Sequence, residues 1–121
     1  MRTLGEFGFP GRLRLRRRSE FLRLFRHGRR GGDRRLEVWV LPNDLGYSRL
    51  GLIVGRRHGG AVRRNRIKRV LREAFRISRA KLPSGLDIAC TPRAGADIGL
   101  PEALESLVRI TARLARMFGP D

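Results

Sequence analysis

The sequence predicts an α+β fold, a small mixed sheet with helices packed on it and elements in the order α-β-β-α-β-α. Three observations predict it. Two short apolar, β-prone runs at residues 36–41 and 50–54 are separated by turn residues. The long stretch 61–82 then repeats at helical period, and a third apolar run at 86–91 leads into a second helical pattern that reaches Phe118. At 121 residues, the chain suits one domain able to bury roughly two-thirds of its unfolded surface without metal or disulfide staples. It divides into a flexible tail at residues 1–12 and a single domain at 13–118, with no internal repeat.

The tail is rich in Gly and Arg around Phe7, Phe9 and Pro10 and has no sustained period. Ser19 offers an N-cap and Glu20 suits the first-turn dipole. Phe21, Leu24 and Phe25 share one face before Gly28 stops a helix over about residues 19–28. Residues 29–35 read as a Gly/Arg loop. The strand at 36–41 sets Val38 and Val40 on one side and Trp39 on the other. Pro42, Asn43, Asp44 and Gly46 supply a turn, so this strand and the run at 50–54 form a hairpin with a longer loop. Past Gly59 and Gly60, Ile67, Val70, Leu71, Ala74, Phe75 and Ser78 make one apolar stripe of the helix 61–82. Asn65, Arg69, Arg72 and Arg76 lie opposite. Pro83, Ser84 and Gly85 end it. The run 86–91, holding Cys90 as a small core residue, is a buried strand. Pro101 opens a last helix with acids at its start, Arg113 and Arg116 near its end, and Gly119 beyond.

Charge narrows the function. Formal net charge is +17. Residues 1–81 hold 24 basic and 6 acidic side chains, residues 82–121 only 4 and 5. A field of that size repels itself in the compact state, so a polyanion is the expected partner. In the helix 61–82 nine basic residues face Glu73 alone. Like charges three and four apart each oppose a helix by roughly 0.2–0.5 kcal/mol, so a face that merely solvates the helix would carry more glutamate. Arginine outnumbers lysine 26 to 2, which favours forked phosphate contacts, although a GC-rich genome produces the same bias. No run approaches the roughly 18 apolar residues of a membrane span, and the amino end lacks a secretory pattern. A cytoplasmic protein is expected.

Catalytic chemistry is not evident. A nuclease acting alone needs paired carboxylates for metal ions or a histidine base beside a cationic stabiliser. His27 and His58 stand in basic surroundings without neighbouring acids, and Asp44, Asp87 and Asp97 are isolated. Gly59 and Gly60 lack the lysine and hydroxyl of a phosphate-binding loop. Phe21, Phe25 and Trp39 each have two readings, core packing or a platform on which bases stack.

Two stretches carry a resemblance. LGLIVGRRHGGAVRRNRIKRVLREAFR, from Leu50, is similar to the signature of the protein subunit of bacterial ribonuclease P, and FPGRLRLRRRSEFLRLF, from Phe9, is similar to that family's amino-terminal pattern. The resemblance implies the ribosomal protein S5 domain 2-like fold, with a left-handed crossover from the second strand through the arginine helix to a parallel third strand. The general rule for such crossovers favours the right hand. It implies that a large RNA removes the 5′ leader of precursor tRNA by hydrolysis dependent on Mg2+, bound mainly by that RNA, while the small protein assists. Arg56, Arg57, Arg64, Asn65, Arg66, Lys68, Arg69 and Arg72 would contact the RNA subunit, and Phe21, Phe25 and Trp39 would line the cleft that holds the leader. No catalytic or metal-binding residue is expected in the protein, and neither membrane nor DNA is an expected partner. Gly55 replaces the family's usual serine, Arg56 and Arg57 its lysines, and His58 stands at a commonly apolar place. The alternative is a structural RNA-binding protein of the ribosome, which accounts for the charge but not for the aromatic set. A DNA-binding arginine helix is disfavoured because no helix and turn precede it.

Overall fold

The structure, a computed structural model, describes residues 9–119. Its elements are α1 (Arg18–His27), β1 (Arg29–Gly32), β2 (Leu36–Pro42), β3 (Arg49–Leu52), α2 (Ala61–Ser78), β4 (Leu86–Pro92) and α3 (Leu100–Arg116). The anticipated order is present with one added strand, β1. The sheet runs β1-β2-β4-β3, antiparallel except for β3 beside β4. Of the proposed tail, residues 1–8 lie outside the described residues. Phe9 packs edge-on against Phe75 of α2, with ring centroids 5.6 Å apart. No helix among the described residues is long and apolar enough to cross a membrane.

The expected hairpin between the apolar runs at 36–41 and 50–54 does not form. β4 lies between β2 and β3 and pairs with both. Every residue of β4 is buried, so it takes the central position, where both edges and both faces are covered; the shorter β3 takes an outer place. The Gly/Arg segment expected to be a loop is partly strand β1. Its own residues have little β preference. The chain reverses at Asp33, whose Oδ1 accepts the Arg35 and Leu36 N–H groups at 2.8 and 2.9 Å. That turn lays Arg29–Gly32 against β2.

Helix boundaries also move. The residue that caps α1 is Arg17 rather than Ser19, because Glu20 reaches back to accept the Arg17 N–H at 3.2 Å. Gly28 ends the helix in extended backbone rather than by a left-handed turn. A Cβ there would stand 2.5 Å from the Leu24 carbonyl oxygen and 2.8 Å from that of Val40. The α2 helix stops at Ser78, whose hydroxyl donates to the Ala74 carbonyl, and a 3₁₀ turn at Arg79–Lys81 follows.

The strand pleat divides the core as the alternation of Val38, Trp39 and Val40 implies. Val38, Val40, Leu50, Ile88 and Cys90 face α2 and α3. Burial pushes the Cys90 thiol up to about 12, as for a core residue. On the other face Leu15, Leu41 and Ala89 pack with Leu24 of α1. One ion network docks α1 there. Arg49 donates from Nε and Nη2 to the two Asp87 oxygens and from Nη1 to Glu20, each at 2.8 Å. Opposition from Asp87 and Glu20 raises Arg49 further above its ordinary range. Asp33 similarly joins the β1–β2 turn to α3, accepting from Ser106 at 2.7 Å and from Arg109.

Asp87→Ala should destabilise the protein by about 3–5 kcal/mol, because Arg49 is then buried with a lost partner. Adding Arg49→Met should recover a large part, as measured by denaturant unfolding; no recovery would refute the pairing. Acid behaviour supplies a second test. For Glu20 and Asp33 burial acts upward, but N–H donors and arginines outweigh it and hold both carboxyls below 4.5 and 3.8. Their contribution is therefore present above those values and lost as pH falls through the lower folded ones. Stability should decline with acid in that window, with a smaller decline in Glu20→Gln.

Candidate nucleic-acid interface

Strand register builds a trough on the α1 face of the sheet. Arg30, Trp39, Ala89 and Gly51 stand abreast on β1, β2, β4 and β3. The two large side chains lie on β1 and β2 and the two small residues on β4 and β3, so the sheet surface drops beyond Trp39 toward the side that α1 covers. Phe25 meets Trp39 edge-on at 5.1 Å and lies 6.2 Å from Phe21. Phe21 rests directly on Gly51, where a Cβ would stand 2.6 Å from the ring. Phe25 is 42% exposed, while Phe21 and Trp39 are half-buried. Core packing and an open aromatic surface are thus both present, divided along the same side chains. The Arg30 guanidinium lies 5.7 Å from the Trp39 ring and is paired with Glu37.

The opposite face of the sheet carries α2. Arg64, Lys68 and Arg72 succeed one another at intervals of four along its half-buried flank. Asn65, Arg66 and Arg69 are exposed beside them. Among the described residues Arg64, Lys68, Arg69 and Arg72 have no carboxylate partner, and Arg66 only the exposed Asp97 at 3.9 Å. The Nε of Arg64 is buried without an acceptor. Burial, and after it the charge of Arg14, holds Arg72 below its ordinary value. Arg76, grouped with this face by helical period, is instead paired with Glu73.

Between the two faces runs the turn Arg56–His58. His58 is buried, accepts the Gly55 N–H at Nδ1 (3.0 Å) and donates from Nε2 to the Pro92 carbonyl (2.9 Å). Those roles fix its tautomer and tie the turn to the end of β4. Arg63 closes the other side through the His58 and Ala96 carbonyls at 3.0 and 3.1 Å. Arg56 and Arg57 are exposed, and Arg57 Nη2 comes within 3.5 Å of Thr91 Oγ1, on the trough side of the sheet. Arg57 thus reaches toward the trough side of the sheet.

Sequence reasoning missed Arg30, Ala89 and Gly51, because a trough floor is a matter of register between strands distant in sequence. It noted His58 as a departure but had no signal for its latch. Among the described residues no three His, Cys, Asp or Glu side chains converge as a metal site would require. Glu20, Asp33, Glu37, Glu73, Asp87 and Glu105 are instead engaged by arginines.

Comparison with known proteins bears on this geometry. The sequence model of the Ribonuclease P family matches residues 9–115. A ribonuclease P protein component from Thermotoga petrophila is 45% identical over 85 residues, 70% of this chain and 73% of that one. One from Escherichia coli O139:H28 is 37% identical over 115 residues, 92% and 97% of the two chains. The solved RNase P protein of Thermotoga maritima superposes with a TM-score of 0.76 at 35% identity, covering 83% of this chain and 96% of its own. That of Staphylococcus aureus gives 0.74 at 28% identity, covering 88% and 98%.

His58→Leu keeps the apolar bulk but strands the Gly55 N–H and the Pro92 carbonyl. A loss of roughly 1–3 kcal/mol is expected for a buried polar group left unpaired, with faster amide exchange at Gly55. Unchanged exchange there would remove the latch.

Proposed function

The chain belongs to the ribonuclease P protein family, and we propose that it divides its surface between two RNAs. The likeness to ribonuclease P proteins over most of the chain leaves the ribosomal alternative without support. The α2 flank, with Arg64, Asn65, Arg66, Lys68, Arg69 and Arg72, binds the RNA subunit of the holoenzyme. The trough lined by Phe21, Phe25 and Trp39 takes the single-stranded 5′ leader of precursor tRNA. Arg56 and Arg57 stand where the two RNAs meet. One observation carries the reading: cations without carboxylate partners among the described residues and the partly exposed aromatics occupy opposite faces of one sheet, so both RNAs can be held at once.

The chemistry of each face fits its partner. Forked guanidiniums without carboxylates suit phosphates, whose contacts dominate affinity and make it sensitive to salt. Aromatic faces suit a leader of variable sequence, since every base has a π-face and stacking tolerates base identity. Hydrolysis is assigned to the RNA. Among the described residues Glu20, Asp33, Glu37, Glu73, Asp87 and Glu105 are held by arginines; the metal on which the reaction depends is assigned to the RNA partner. The protein's part is to bind and orient the substrate in a cytoplasmic ribonucleoprotein.

Reconstitution with the RNA subunit and a labelled precursor tests this. Phe21→Ala should weaken binding of leader-bearing precursor relative to mature tRNA by roughly 1–3 kcal/mol. Equal weakening of both, with a lowered melting temperature, would return Phe21 to core packing alone. Failure of the reconstituted pair to release the leader would refute the assignment of function.

A further inference from the structure

The segment before α1 lies alongside the sheet. The Leu15 N–H donates to the Leu50 carbonyl at 3.0 Å, and Arg14 bridges Leu50 in parallel register. Leu15 packs into the cluster beneath α1. Extended backbone alternates its side chains, so Arg14 turns to the opposite face, where α2 lies. Its guanidinium sits 5.3 Å from the ring of Phe9, which in turn packs on Phe75, one turn along α2 from Arg72.

Two features of this place are unusual for a folded protein. Arg14 Nε is buried without an acceptor. Neither Arg14 nor Arg72 has a carboxylate partner among the described residues, although Glu20 and Glu73 are close in sequence. Glu20 is taken by Arg49, and Glu73 by Arg76. Arg14 thus has a buried donor unmet, Arg72 is half-buried one helical turn from the Phe75 on which Phe9 packs, and Arg14 is near enough for its charge to bear on Arg72. Buried charge of this kind is tolerated when an ion of opposite sign completes it. A phosphodiester suits both forks, because two guanidiniums can take different oxygens of one group.

We propose that Arg14 and Arg72 form a clamp for a single backbone phosphate of the RNA subunit, bringing the segment before α1 into an interface otherwise made by α2. The clamp rests on the reading that α2 faces that RNA. It extends the row Arg64, Lys68, Arg72 beyond the helix and onto a second element, so that RNA fixes the two relative to each other.

The test uses the full chain and the RNA subunit, with affinity measured across salt concentrations for wild type, Arg14→Met, Arg72→Met, the double variant and Arg69→Ala. Methionine keeps the packed stem and removes the charge. Each single methionine variant should reduce the salt slope by roughly 0.7–0.9. The double variant should lose about the same rather than twice as much, because one phosphate is shared. In low-salt buffer free of phosphate, Arg14→Met should melt no lower than wild type, since a repulsion is removed. Additive slope losses, or a lower melting temperature for Arg14→Met, would overturn the clamp. An effect of Arg69→Ala with none of Arg14→Met would overturn the clamp and leave the α2 surface standing. If no variant weakens RNA binding, the assignment of α2 to the RNA subunit fails with it.

Discussion

The contact between Arg49 and Asp87 holds the rest of the molecule in place. Both sit on the face of the sheet that α1 covers, and the third arm of the guanidinium reaches Glu20 on α1 itself. Charge is brought inside only because each group is answered, since a lone ion there would be far more costly than a paired one. The arrangement does more than attach a helix. Glu20 also closes the first turn of α1 through the N–H groups of Arg17 and, more distantly, Arg16. The same carboxylate therefore fixes where α1 begins and where it lies. Phe21 follows it directly and Phe25 comes one turn later, so the wall of the trough is set by that one anchorage.

A second constraint governs the distribution of acids. With 11 acidic residues against 28 basic ones, neutralisation is scarce and its placement matters. The carboxylates join element to element: Asp33 and Glu105 fasten the β1–β2 turn to α3, and Glu37 holds the sheet edge. The middle of α2, facing outward, is left with almost none. Its repulsion is tolerated because Ile67, Leu71, Ala74 and Phe75 are buried on the other side, and apolar burial of roughly 1.5–3 kcal/mol per large side chain exceeds the helix penalty of each like-charged pair. Folding thus leaves this charge largely unanswered among the described residues.

Features with a local cause could be read from the sequence. The stripe and the cationic flank of α2 follow from helical period, the opposition of Trp39 to Val38 and Val40 from the pleat, and the start of α3 from Pro101. What depended on partners distant in the chain could not. Nothing in residues 36–54 reveals that β4 will enter between the two strands, nor that Glu20 will prefer the Arg17 N–H and Arg49, displacing Ser19 from the cap. Arg76 has the right helical angle for the cationic flank, yet Glu73 three residues earlier captures it. The aromatic members of the trough were visible as residue types, whereas its floor at Ala89 and Gly51 is made of absent side chains, which leave no mark on a composition.

The central place of β4 has a consequence for how the protein comes into being. As the chain is synthesised, β2, β3 and α2 all emerge before it, and the two strands have no pairing with each other to fall back on. Until residues 86–92 arrive, Arg49 lacks Asp87, Phe21 and Trp39 lack the strand between them, and His58 lacks the Pro92 carbonyl. Pairings of such sequence separation form late and slowly relative to local helix. The aromatic face and the turn at Arg56–His58 therefore take shape together, at the insertion of one strand, and a nascent chain that has already made its arginine helix carries that charge before the sheet beneath it is complete.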